Sequence, residues 1–216
     1  YVPYIYDAAL KSYETGYPTS MTPLYIAYPD DENTYDMISA EKRQFEWLLG
    51  ESLLAAPLFG SDIDTAESRD VYLPEGKWIQ YDTGEVFEGP ITLKDREAPV
   101  DVMPVFVGGK GILVGEDMQN KDNYFAEVFP VAQKGTVYDY THVDGETKST
   151  FLLNMDGFNS NNFVVTDTTT NETVPFTRNE TNGSLRFVYT PGHSYTFTGG
   201  ASENKIERVD VSCGDI

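Results

Sequence analysis

The chain has 216 residues, 40% hydrophobic and 23% charged, with 35 acidic against 15 basic residues and a formal net charge of −20. That surplus excludes nucleic acid and anionic membrane surfaces as partners, because either one needs a cationic face. No run of about 18 apolar residues occurs, which argues against a membrane-spanning helix, and Cys213 stands alone, so neither an internal disulfide nor a cysteine metal site can form.

Helical text begins at Tyr1, without an initiating Met, and the expectation is a piece of a longer chain. Residues 2–13 carry Ile5, Ala8, Ala9, Leu10 and Tyr13 at three and four spacings, which predicts a helix with one buried face. Gly16 suits its C-cap and Pro18 forbids continuation. MTPLYIAY at 21–28 is apolar but interrupted by Pro23, so an irregular or edge segment is expected. Ser39 is placed as the cap of a second helix reaching Leu49, ended by Gly50. SLLAAPL at 52–58 then reads as a strand buried on both faces of a parallel sheet. Helix, loop, helix and doubly buried strand together suggest the end of an α/β barrel.

The remainder reads as all β. A polar linker covers 60–67. The stretch RDVYLPEGKWIQYDTGEVFEG at 69–89 reads as three short strands, with turns at Pro74-Glu75-Gly76 and Asp82-Thr83-Gly84 and a stop at Gly89-Pro90. Further strands are expected at 91–93, 100–103, 105–107 and 112–114, forming an antiparallel sandwich bounded near 61 and 115. A second β unit follows, with strands at 124–129, 135–141, 148–153, 163–167, 174–178, 185–189 and 195–198. Residues 199–216 lose the pattern and read as a polar tail.

Candidate chemistry is sparse. His142 and His193 are the two histidines, and they are expected at turns or strand edges of the distal unit as ordinary surface residues, without metal-ligand spacing. No G-x-S-x-G elbow is present. Gly108-Gly109-Lys110-Gly111 lacks the full phosphate-loop pattern and reads as a turn. The acidic segment 139–146 lacks the ligand alternation of an EF-hand loop. Glycoside hydrolysis would need two carboxylates about 5–9.5 Å apart, and periodicity does not select such a pair. Asp30, Asp31, Asp62 and Asp64 all fall in loops that read as solvated. No catalytic, substrate-binding or metal residue is assigned, and no cofactor is implied. Asn171-Glu172-Thr173, Asn179-Glu180-Thr181 and Asn182-Gly183-Ser184 match the glycosylation acceptor pattern, which leans toward a secretory route.

Several stretches occur together in a recognisable order: Val2-Pro3-Tyr4-Ile5-Tyr6, Pro23-Leu24-Tyr25, Tyr28-Pro29-Asp30-Asp31, residues 49–57 (LGESLLAAP), residues 69–78 (RDVYLPEGKW), Thr83-Gly84-Glu85 and Met103-Pro104-Val105-Phe106-Val107. Across residues 1–115 this succession resembles glycoside hydrolase family 31, which includes α-glucosidases, α-xylosidases and, in a side branch, α-1,4-glucan lyases. The resemblance implies a mostly β chain. Residues 1–60 would be the last helix and strand of a (β/α)8 barrel, 61–115 a proximal antiparallel β-sandwich, 116–200 a distal β domain and 201–216 a tail.

It implies a parent enzyme acting on terminal α-linked sugars in oligosaccharides or polysaccharides by retaining double displacement with two aspartates. Those aspartates lie on barrel strands before this chain begins, and no position here matches either motif. Thr22 departs from the pattern, since many members carry Arg before Pro-Leu. The expected role is structural support of the barrel. The alternatives are the lyase branch and a non-catalytic carbohydrate-binding β module.

Overall fold

The computed structural model describes residues 1–37, 45–58, 67–99, 101–120, 123–131, 133–155 and 163–199. The chain is mostly β, in three open sheets. Among the described residues no helix is long and apolar enough to cross a membrane.

Helix α1 spans Val2–Thr15 and ends on Gly16 in the left-handed conformation, whose N–H returns to the Ser12 carbonyl. Pro near its first turn and Gly just past its last are the residues a helix start and stop favour. It buries Tyr4, Asp7 and Ala8. After it come β1 (Thr22–Pro23), the single turn α2 (Leu24–Ala27) and a 3-10 turn at Glu32–Thr34. The apolar segment with Pro23 is therefore irregular, as its proline demands.

The expected helix ending at Leu49 is corrected where it is described: Trp47–Leu49 is strand β2, paired antiparallel with β1 and with β3 (Leu53–Ala55). Its proposed cap, Ser39, lies outside the described residues. Strand β3 is buried throughout, as expected. It is antiparallel to both neighbours, so it is not a parallel barrel strand. A Leu-Leu-Ala run records burial on two faces, and strand direction leaves no mark in it.

The six-stranded sheet runs β1-β2-β3-β6-β4-β5. Here β4 is Ser68–Gln80, β5 is Val86–Glu97 and β6 is Val105–Val107. Residues from both sides of the expected 60/61 boundary thus share one sheet. The three-strand reading of 69–89 is also corrected. Pro74-Glu75-Gly76 is a bulge inside one 13-residue strand, where the register against β5 shifts between Leu73 and Gly76. Strand β5 likewise continues through Gly89-Pro90, a cis peptide. A Cβ on Gly89 would stand 1.9 Å from the Pro74 carbonyl oxygen, so the bulge requires glycine there. The expected hairpin at Asp82-Thr83-Gly84 is present. Residues 101–104 are not strand.

Strand β7 (Ile112–Glu116) leaves this sheet and pairs with β8 (Tyr124–Val128). It opens the distal unit and does not close the proximal one, so no break falls at 115/116. The four-stranded sheet runs β13-β14-β8-β7, with β13 at Phe176–Arg178 and β14 at Leu185–Tyr189. The five-stranded sheet runs β12-β11-β15-β10-β9. Its strands are β9 (Val137–Thr141), β10 (Lys148–Asn154), β11 (Phe163–Asp167), β12 (Glu172–Val174) and β15 (Ser194–Gly199). One departure from an antiparallel sheet is the parallel pairing of β10 with β15. The single strand expected at 174–178 is two, split at Pro175 and divided between the sheets. The expected tail at 201–216 lies outside the described residues.

The two distal sheets face each other through aromatic contacts, Phe151 with Phe187 at 6.2 Å and Phe187 with Tyr195 at 5.3 Å between ring centres. Their core is continuous with Tyr4 of α1, Leu53 of β3, Ile79 of β4 and Val107 of β6. The other face of the six-stranded sheet holds a second core around Leu54, Leu73, Trp78 and Phe106. Alternation along the strands thus sends Leu53 and Leu54 into different cores.

Candidate functional site

A hollow of about 930 Å³ lies against the second core and is lined mostly by apolar side chains, including Leu24, Tyr25, Met37, Phe45 and Trp47. The antiparallel β1–β2 pair and the turn α2 place these side chains together. Glu46, also lining it, has its side chain fully withdrawn from water. It accepts from Arg69 Nη2 at 2.8 Å and from the Tyr72 N–H at 3.0 and 3.1 Å. The Arg69 guanidinium also donates to the carbonyls of Phe45 and Pro57. Burial pushes the Glu46 carboxyl up to about 7, against the lowering pull of the Tyr72 N–H and Arg69. A carboxyl at that value could act as a general acid. Its oxygens are already engaged by Arg69 and Tyr72, and the arrangement ties residue 46 to β4.

The residues singled out from the sequence fall into structural roles. His142 is buried, contrary to a surface position: Nε2 lies 3.1 Å from Ser149 Oγ, and its ring meets Tyr140 edge-on at 4.5 Å. Burial lowers its pKa. Ser149 is 1% exposed and accepts the Gly192 N–H, so this Ser–His pair has no route to a substrate. His193 Nδ1 is 2.6 Å from Asp167 Oδ2. The opposite oxygen of Asp167 accepts the N–H groups of Thr169 and Thr170 and holds the turn after β11.

Asp31 caps the 3-10 turn by accepting the Asn33 N–H at 3.0 Å, and it accepts the Tyr72 hydroxyl as well. Asp30 is exposed, while Asp62 and Asp64 lie outside the described residues. Gly108–Gly111 is the expected turn. Gly109 has φ +55, and a Cβ there would stand 2.4 Å from the Glu51 carbonyl oxygen. In the acidic segment, Asp144 takes its bonds from Thr147 Oγ1 and the N–H groups of Glu146 and Thr147. These bring it down to about 2. Among the described residues no group of three or more His, Cys, Asp or Glu could hold a metal ion.

Besides Glu46 and Asp167, two more buried acids escaped sequence reasoning. Asp7 accepts from Tyr138 OH and the Thr141 N–H, both at 3.0 Å, and from Lys11 at 2.9 Å. Lys11 continues to Glu51 at 2.8 Å and to the Asp139 carbonyl at 2.9 Å. Glu127 accepts the hydroxyls of Tyr1 and Ser184, each at 2.5 Å. The one hint in the sequence is an acid at position 7 on the apolar helix face beside Tyr4 and Ala8. A second hollow of about 430 Å³ lies nearby, where Arg186 sits 3.4 Å over the Phe125 ring.

Residues 16–113 match the glycosyl hydrolase family 31 C-terminal domain. Alpha-glucosidase 2 of Bacillus thermoamyloliquefaciens is 35% identical over 117 residues, covering 54% of this chain and 14% of that protein. The alpha-xylosidase of Saccharolobus solfataricus is 31% identical over 127 residues, covering 57% of this chain and 16% of that protein. This chain therefore spans less than a fifth of either relative. Among solved structures, the uncharacterized protein lmo2446 of Listeria monocytogenes superposes with a TM-score of 0.60 at 20% identity, over 89% of this chain and 22% of that one. That likeness shows the fold alone.

Proposed function

We propose that this chain, whose residues 16–113 match the glycosyl hydrolase family 31 C-terminal domain, is the non-catalytic C-terminal part of a retaining α-glycosidase of that family. The whole enzyme would hydrolyse terminal α-linked glucosides or related sugars of oligosaccharides and polysaccharides. The six-stranded sheet and the distal sandwich would support the catalytic domain and hold its loops.

The observation that carries this reading is the state of the buried acids. Asp7, Glu46, Glu127 and Asp167 are each engaged at both oxygens by donors of the chain itself. Retaining hydrolysis needs two carboxylates facing one glycosidic bond, one of them free to attack carbon. None of these four is free to do so.

The test is direct. The purified 216-residue chain, incubated with an aryl α-glucoside, is expected to release no phenol above the protein-free control. Sustained turnover by this chain would overturn the reading.

A further inference from the structure

The three acceptor patterns for N-linked sugar are not equivalent in the fold. Asn182 is 5% exposed. Its Nδ2 donates to the Tyr81 carbonyl at 3.1 Å and its Oδ1 accepts the Ser184 N–H at 3.1 Å. Ser184, which completes that pattern, is fully buried with its hydroxyl on Glu127. A sugar on Asn182 would force the turn off the proximal hairpin.

Asn171 and Asn179 are exposed, as are Thr173 and Thr181, which complete their patterns. Asn171 sits at φ +62 in the turn between β11 and β12. Asn179 follows β13 directly and uses Oδ1 to accept the N–H groups of Thr181 and Asn182. That leaves its amide nitrogen available.

These two asparagines bracket one short segment. Within it β12 is an edge of the five-stranded sheet and β13 an edge of the four-stranded sheet. Residues 172–178 therefore form the open margin of both layers of the distal sandwich. Such margins present unpaired backbone groups and invite edge-to-edge association unless something covers them.

We propose that Asn171 and Asn179 are N-glycosylation sites whose glycans cover this margin. The donor is an oligosaccharide carried on a polyprenyl diphosphate. Asn Nδ2 forms a bond to the anomeric carbon as the bond from that carbon to the diphosphate oxygen breaks. The lipid diphosphate leaves with the electron pair, and Nδ2 releases one proton to the transferase base.

The test secretes the full chain from a eukaryotic host. Peptide N-glycosidase in heavy-oxygen water then converts each glycosylated Asn to labelled Asp, read by mass spectrometry. Label is expected at Asn171 and Asn179 and not at Asn182. Thr173→Ala and Thr181→Ala, which leave the asparagines in place, should each remove one step of gel mobility. Together they should raise the self-associated fraction at least twofold on size exclusion. If the double variant is not secreted, native deglycosylation of the folded parent gives the same comparison. Absence of label at Asn171 and Asn179, or label at Asn182, overturns the assignment of sites. Unchanged self-association after glycan removal overturns the covering role.

Discussion

Glu46 and Arg69 meet at 2.8 Å with side chains 0% and 7% exposed, one from the residue before β2 and the other from β4. The pair joins the short strands at the start of the six-stranded sheet to its longest one. Burial raises the Glu46 carboxyl to about 7 from the ordinary 4.5. A group whose folded pKa is raised contributes stability that is fully present below its unfolded value and lost as pH rises through the folded one. Thermal denaturation should therefore show a contribution from Glu46 that declines between about pH 4.5 and about pH 7, and Glu46→Gln should abolish that decline. Arg69→Met, which strips the buried carboxylate of its cation, should cost about 3–5 kcal/mol. The loss should be larger above pH 7 than below 5.

Gly89 tests the bulge. Its substitution by Ala sets a Cβ against the Pro74 carbonyl, the acceptor of the Trp78 Nε1–H at 2.8 Å. Overpacking of this kind costs about 1–3 kcal/mol. A lower urea midpoint is expected, together with red-shifted tryptophan emission as Trp78, now 2% exposed, gains water. An unchanged midpoint would show that β4 and β5 part without strain.

Asp7 anchors α1 to β9. Asp7→Ala leaves Lys11, the Tyr138 hydroxyl and the Thr141 N–H without their carboxylate. Removing one partner of a buried charge network costs about 3–5 kcal/mol. Limited proteolysis should then cut within residues 1–20 while the distal sandwich persists. Asp7→Asn keeps an oxygen acceptor and should lose less.

Asn182 closes the junction of the two β units. Asn182→Ala leaves the Tyr81 carbonyl without its side-chain donor, at a cost of about 1–3 kcal/mol for an unsatisfied buried group. Gly84 should be equally intolerant, since a Cβ there would stand 1.9 Å from the Thr181 carbonyl oxygen. Calorimetry of either variant should show a broadened or split transition as the units uncouple. One sharp, unshifted transition would deny the junction this role.

Local chemistry carried the sequence reading far. Gly16 after an amphipathic run marks the end of α1, and β11 and β14 match their expected bounds because alternating apolar residues sit between Asn, Thr and Gly turns. Long-range pairing was not legible. Nothing in Leu53-Leu54-Ala55 distinguishes an antiparallel from a parallel neighbour, and nothing local sends β7 to β8 in place of β6. Pro74-Gly76 carries turn residues, yet a bulge uses the same ones. The candidate site was less legible still. Glu46 carries no local mark of its partners, which lie many positions away, and Asp7 only its place on an apolar helix face.

Helix α1 also sets an order of assembly. Its Asp7 waits for Tyr138 and Thr141, its Tyr4 belongs to a core completed by Tyr195 and Phe197, and the parallel partners β10 and β15 are separated by four intervening strands. During synthesis the helix emerges before these partners, and its seat is complete only once β15 has left the ribosome. Contacts so distant along the chain make folding slow, since each must close a long loop before it is rewarded. A ribosome-stalled chain lacking β15 should therefore hold α1 incompletely docked, and a chaperone binding its part-bare apolar face would meet the protein at that stage.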